Sequence, residues 1–253
     1  MLLKSKNNIK SLKRINDIGR GRKGFVRLDK NERTIPFENN VIKDMIDTID
    51  PDEFSAYPDQ SELYNSLSEF HDIPEDNILI TSGSDTGIKY IFETFINQSS
   101  KIMTLWPTYA MVDVYTKMFE ASPIRIGFDE NLDLNLDLLF ESINEIDLIY
   151  LANPNQPTGT VINNKIIIDI LRIAKDKNIL VLIDEAYVHF SDQESSINIV
   201  DSFPNLIILR TFSKGFGLAS VRLGYMISHS SIIELVRKVK PILDINLFAI
   251  KFG

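Results

Sequence analysis

The sequence predicts an α/β fold: a mostly parallel, seven-stranded sheet flanked by helices. Two patterns point to it. Seven short apolar runs are spaced along the chain, and segments with apolar residues at helical spacing lie between several of them. Alternation of this kind implies right-handed βαβ crossovers, with helices on both faces of one sheet. No internal repeat suggests another architecture.

The elements follow in order. Ile78–Thr81 is the first run, after which Ser84 or Asp85 can cap a helix carrying Ile88, Ile91, Phe92 and Phe95 on one face. Ile102–Leu105 and Ile124–Phe128 supply the next two strands, and Leu148–Leu151 the fourth. Asn163 or Asn164 then caps a helix with Ile166, Ile167, Ile170, Leu171 and Ala174 on its apolar side, closed by Asn178. Leu180–Ile183, Leu206–Leu209 and Leu223–Ile227 complete the sheet. A last helix begins near Ser230 with Ile232, Val236 and Val239 aligned, and Pro241 interrupts it. Beyond that proline, Leu247, Phe248 and Ile250 are expected to form an uncovered apolar patch.

Composition narrows the function classes. The 253 residues hold enough apolar side chains for one large core. There is no cysteine, which excludes disulfides, thiolate metal sites and a cysteine nucleophile. The three histidines, His71, His189 and His229, lack metal-ligand spacing, and His189 reads as a surface residue. No run of about 18 apolar residues is present, so no transmembrane helix is expected. Residues 1–27 carry nine Lys or Arg against one Asp in a chain whose net charge is −8. That basic arm has no apolar signal core and reads as solvated, which points to a cytoplasmic protein. The acidic remainder argues against a nucleic-acid partner.

The chemistry concentrates near the end of the chain. Leu206–Leu209 runs into Arg-Thr-Phe-Ser213-Lys214-Gly-Phe-Gly, and Arg222 follows eight residues after the lysine. Lysine condenses with aldehydes, and burial or a cationic neighbour makes it nucleophilic near neutral pH. A hydroxyl, loop N–H groups and a guanidinium fork suit a phosphate monoester. An aldehyde carrying a phosphate describes pyridoxal phosphate, although Ser-Lys-Gly alone reads sooner as a turn with surface charges. Leu180-Val-Leu-Ile-Asp184 ends a strand in a carboxylate, the group that would keep a pyridine nitrogen protonated. An acid there also suits a metal or a ribose. Both strand ends open onto one rim of the sheet, where ligands gather in open α/β folds.

Five blocks make the reading specific: Leu28-Asp-Lys-Asn-Glu32, Tyr57-Pro-Asp, Thr81-Ser-Gly-Ser-Asp-Thr-Gly87, Asn153-Pro-Asn-Gln-Pro-Thr-Gly159, and the Asp184 and Lys214 segments together. In this order and spacing the chain resembles the fold-type I pyridoxal-phosphate aminotransferases of class I/II, the histidinol-phosphate aminotransferases in particular. The resemblance implies an N-terminal arm and small-domain segment over 1–36, a large cofactor-binding domain over 37–230, and the start of an interdomain helix over 231–253. The small domain would be mostly absent, and with it the arginine that binds the substrate carboxylate.

The same resemblance assigns roles. Lys214 would hold pyridoxal 5′-phosphate and act as general acid–base, with Asp184 at the ring nitrogen and Tyr187 at the phenolic oxygen. Ser84, Asp85, Ser213 and Arg222 would surround the phosphate, and Tyr109 would stack on the ring. Tyr57 would reach the phosphate of a neighbouring subunit in a homodimer. Gln156 stands where the family usually has an asparagine, keeping the amide on a longer stem, and Arg33-Thr34 replaces a common Asn-Pro. The implied reaction is transamination between an amino donor of the histidinol-phosphate kind and a 2-oxo acid, 2-oxoglutarate, as in amino-acid biosynthesis. A pyridoxal-phosphate decarboxylase of amino-acid phosphates, or a catalytically incomplete fragment, are the alternatives.

Overall fold

A computed structural model describes residues 6–12, 21–22 and 24–253. The seven strands are β1 (Ile78–Thr81), β2 (Lys101–Trp106), β3 (Ser122–Gly127), β4 (Leu148–Ala152), β5 (Leu180–Asp184), β6 (Leu206–Thr211) and β7 (Gly224–Ser228). They form one sheet in the order β1-β7-β6-β5-β4-β2-β3. Only β7 runs against its neighbours; every other pairing is parallel. Each expected strand is present, longer by one or two residues at several ends. Hydrogen bonding carries β6 into Arg210 and Thr211, past the last apolar residue that marks the strand in the sequence.

The helices are α1 (Asn7–Ser11), α2 (Asn39–Asp47), α3 (Ser61–His71), α4 (Ser84–Phe95), α5 (Ala110–Met118), α6 (Leu136–Ser142), α7 (Asn164–Asp176), α8 (Ser230–Arg237) and α9 (Leu247–Phe252). Because strand side chains alternate between faces, the sheet is covered twice. Ile149, Val181, Ile183, Leu206 and Ile208 pack with residues of α3, α6, α7 and α9. Leu148, Tyr150, Leu182, Ile207 and Leu209 pack with α4, α5 and α8 on the other side. The central strands β4 and β6 are buried along their whole length, as parallel strands between two helical layers must be.

Local chemistry explains the boundaries. The Asn163 side chain accepts the Ile166 N–H at 3.1 Å and caps α7, and Asn178 adopts a left-handed φ of 56° just beyond its end. The start of α4 differs from expectation: neither Ser84 nor Asp85 caps it. Gly83 occupies the cap with φ 83° and makes no side-chain cap bond, while Asp85 accepts the Tyr115 hydroxyl at 3.2 Å. The segment after Pro241 also differs. Ala249 and Ile250 of α9 are buried against the layer containing Leu63 and Leu67, because the chain turns back onto α3. The exposed apolar residues there are Ile242, Leu243 and Phe248, of which only Phe248 was expected.

The basic arm is not wholly solvated. Asn8 of α1 donates to the Met118 carbonyl, Arg22 pairs with Asp29 and Glu32, and Arg27 pairs with Glu32 at 3.3 Å. Of the arm's other basic residues, Lys6 and Lys10 are exposed, and Lys4, Lys13, Arg14, Arg20 and Lys23 lie outside the described residues. Among the described residues no helix is long and apolar enough to cross a membrane.

Candidate active site

The sheet topology builds the site. Parallel strands β4, β5 and β6 deliver Ala152, Asp184 and Thr211 to one rim. Antiparallel β7 begins there, with Gly224 opposite both Thr81 of β1 and Thr211 of β6. Arg222, two residues before Gly224, is thereby inserted between the turn after β1 and the loop after β6. A cavity of about 400 Å³ opens at this rim, within the size range of small-molecule sites. Ser84, Asp85, Tyr109, Gln156, Asp184, Tyr187, Ser213, Lys214 and Arg222 all line it. Of the candidate residues only Tyr57 stands elsewhere, on an exposed stretch with 78% of its surface accessible.

One end of the cavity is cationic. Arg222 Nη1 donates to the Ser213 hydroxyl at 3.1 Å and Nη2 to the Ser82 carbonyl at 3.4 Å, joining the two loops. The α4 N-terminus, with Ser84 in the cavity wall, borders the same corner, where the helix dipole adds positive potential. Hydroxyls, N–H groups and a guanidinium together fit a phosphate dianion.

At the centre, Asp184 is 5% exposed and its carboxylate is held by two donors. Tyr150 Oη donates to Oδ2 at 3.0 Å and the Ala186 N–H to Oδ1 at 3.1 Å. Burial pushes its pKa up to about 6; the two hydrogen bonds pull down, and Asp85 and Glu185 push further up. Burial also raises the Tyr109 phenol, helped by Asp85 and Asp184, so this ring is neutral near pH 7. A buried carboxylate at a strand end among neutral phenols matches a protonated heterocyclic nitrogen.

Lys214 lies three residues past the end of β6. Its Nζ donates to the Lys30 carbonyl at 2.8 Å and lies 5.5 Å from the Tyr187 ring centroid. Asn31 Nδ2 donates to the Tyr187 hydroxyl at 2.9 Å. The Leu28–Glu32 segment thus closes over the cavity and contributes Lys30 and Glu32 to its wall. His189 is exposed and packs on Phe216 at 5.1 Å, outside the cavity lining. His71 hydrogen-bonds Tyr225, and His229 caps α8.

Several supporting residues escape a reading of the sequence. Asn155 accepts the Thr108 hydroxyl at 2.7 Å and donates to the Pro107 carbonyl at 3.0 Å, tying the Gln156 loop to the Tyr109 loop. Glu185 forms a buried ion pair with Arg210 at 2.8 Å, and also accepts from Ser195 Oγ and the Ser196 N–H, both at 2.7 Å. Arg210 carries the one usable signal, a charge inside an otherwise apolar strand; Asn155 sits unmarked within a polar loop.

Known proteins resemble this chain over most of its length. Residues 23–243 match the family described as aminotransferase class I and II. A histidinol-phosphate aminotransferase of Clostridium novyi is 34% identical over 231 residues, covering 90% of this chain and 64% of that protein. One from Buchnera aphidicola subsp. Melaphis rhois is 37% identical, covering 87% and 60%. The crystal structure of histidinol-phosphate aminotransferase from Sinorhizobium meliloti in complex with pyridoxal-5′-phosphate shares the fold, with a TM-score of 0.82 at 21% identity over 99% of this chain and 70% of that one. So does L-threonine-O-3-phosphate decarboxylase from Porphyromonas gingivalis, with a TM-score of 0.72 at 21% identity over 84% and 62%. The chain spans less than two thirds of the length of the curated relatives it matches. By the extent and similarity of these matches, the chain belongs to the class I and II aminotransferase family.

Proposed function

We propose that this chain binds pyridoxal 5′-phosphate and is the cofactor-holding part of an aminotransferase acting on an amino-alcohol phosphate of the histidinol-phosphate kind, with 2-oxoglutarate as acceptor. The observation that carries the reading is the arrangement around one cavity: an amine, a buried carboxylate and an anion-binding corner, from Lys214, Asp184 and Ser213–Arg222. The donor set fits the cofactor's aldehyde, ring nitrogen and phosphate in turn. The cofactor, when bound, supplies an electron sink for charge developing at the substrate Cα.

The chain's own residues divide the remaining work. Ser213, Ser84 and Arg222 hold the phosphate, which fixes the cofactor at the rim through charge-assisted hydrogen bonds. Asp184 keeps the proton on the pyridine nitrogen; with a pKa near 6 it is mostly ionised at neutral pH, and a cation beside it favours that form further. Tyr187 and the Gln156 amide face the phenolic side, and Tyr109 covers the ring. Lys214 anchors the aldehyde carbon until the incoming amine displaces it. Its amine would then be the base that takes the proton from the substrate Cα and the acid that returns one. Tyr57, exposed in the single chain, would complete the phosphate site of a second copy in a homodimer.

The test is a product analysis. Placed in a protein of its relatives' full length, loaded with pyridoxal phosphate and given histidinol phosphate, the chain should form amino acid from 2-oxoglutarate in step with loss of the donor. Carbon dioxide release from an amino-acid phosphate without any need for an oxo acid would favour the decarboxylase instead.

A further inference from the structure

The Asp184 carboxylate is held from beneath the cavity as well as from its rim. Tyr150 sits in the middle of β4 and is fully buried, with no part of it in the cavity wall. Its Cα is paired with Leu182, two residues before Asp184 on the neighbouring strand. Because side chains alternate, Leu182 and Asp184 share a face, and Tyr150 points from the same face of β4. A tyrosine reaches its diagonal neighbour across a strand pair, and here the hydroxyl meets Asp184 Oδ2 at 3.0 Å. The only other donor to this carboxylate among the described hydrogen bonds is the Ala186 N–H on Oδ1. With one oxygen held from below and one from the following turn, the carboxylate plane is fixed and its remaining lone pairs face the cavity.

We propose that Tyr150 is a positioning residue, which orients Asp184 and favours its anionic form for contact with a protonated ring nitrogen; this rests on the pyridoxal-phosphate reading above. A phenol can donate to a carboxylate but not to a carboxyl oxygen that carries the proton, so the bond favours ionisation. Opposing it are burial and the like charges of Asp85 on α4 and Glu185 next in the chain. Tyr109, Tyr187, Lys214 and Arg222 line the same cavity. Tyr150 is the one hydrogen-bond donor among these groups that lies wholly in the core, so neither solvent nor ligand can replace it.

The test needs no cofactor. In ligand-free protein labelled with carboxyl-¹³C aspartate, the Asp184 signal is identified by its loss in Asp184→Asn and titrated with pH. In Tyr150→Phe, which keeps the buried ring, the Asp184 midpoint should rise by about one pH unit, as expected for loss of a hydrogen bond to a charged group. An unchanged or lowered midpoint overturns the proposal. Should Tyr150→Phe fail to fold, the unaltered chain labelled at the tyrosine ζ-carbon gives a second reading. One tyrosine signal should titrate with the Asp184 midpoint and lose that step in Asp184→Asn; a tyrosine set unaffected by Asp184 overturns it equally. Failure of the pyridoxal-phosphate reading would show elsewhere, as absence of cofactor attachment at Lys214.

Discussion

A Cβ on Gly83 would lie 2.5 Å from Nη2 of Arg222, so the guanidinium occupies the space that any larger residue at this turn would need. The pair couples two distant parts of the chain. Gly83 starts α4 after β1, and Arg222 precedes β7, the strand that pairs with β1. The glycine's φ of 83° with ψ of 163° is a conformation that side chains with a Cβ rarely adopt.

Gly83→Ala should therefore act twice. Backbone strain costs roughly 1–3 kcal/mol of stability. Displacement of Arg222 should also weaken pyridoxal-phosphate binding by about tenfold, the equivalent of one charge-assisted hydrogen bond. Thermal unfolding and a cofactor titration read the two effects separately. A variant that loses stability but keeps full affinity would show that Arg222 does not hold the phosphate.

The buried Glu185–Arg210 pair anchors the turn that follows Asp184 to β6. Arg210→Met should destabilise the chain by about 3–5 kcal/mol, because it strands a buried carboxylate. Glu185→Leu combined with Arg210→Met should recover most of that loss in urea unfolding. Equal destabilisation by the single and double variants would mean that the surrounding packing, and not the charge, sets the cost.

Much of this was legible in the sequence, and the reason is physical. Strands buried on both faces are nearly continuous apolar runs, so β4, β5 and β6 announce themselves; residues that a ligand must meet stand at or just past the ends of those runs, as Asp184 and Lys214 do. Nine of the ten candidate residues accordingly line one cavity. What stayed hidden was chemistry carried by contacts between distant segments. Tyr150 looks like one more apolar residue of β4, and its bond to Asp184 depends on a strand register that composition does not reveal. The α4 cap was misjudged for a related reason: Ser84 and Asp85 have capping chemistry, but close approach of Arg222 demands Gly83 at that position.

Asp184→Asn should separate stability from function. The folded carboxyl titrates near 6 while an unfolded one titrates near the ordinary value of 3.8, so the folded state binds the extra proton between those values. Stability contributed by this group is thus lost as pH rises from about 4 to 6. In cofactor-free protein the amide variant should be more stable than the parent at pH 7, by of order 1–3 kcal/mol, with the difference vanishing near pH 4. Turnover of cofactor-loaded protein should fall severely, since an amide cannot keep the ring nitrogen charged. Urea titrations at several pH values, with steady-state rates beside them, check both halves.

His71 tilts the balance the other way. Burial, and then the positive Arg210, lower its pKa to about 4, and its Nε2 lies 2.8 Å from the Tyr225 hydroxyl. The unfolded imidazole takes a proton near 6.5 and the folded one only near 4, so stability falls as pH drops through that window. Because the side chain is only partly buried, the loss should be roughly 1 kcal/mol after allowance for solvent screening. His71→Gln should flatten this slope between pH 6.5 and 4; an unchanged slope would assign the acid sensitivity to other groups.

The central claim is that Lys214 receives the aldehyde of pyridoxal phosphate beside Asp184. Incubation of the purified protein with the cofactor, reduction with borohydride and peptide mapping tests it most directly. The account predicts a stable phosphopyridoxyl label on Lys214, lost in Lys214→Ala while Asp184→Asn retains it. A label on another lysine, or none in soluble, folded protein, would contradict it.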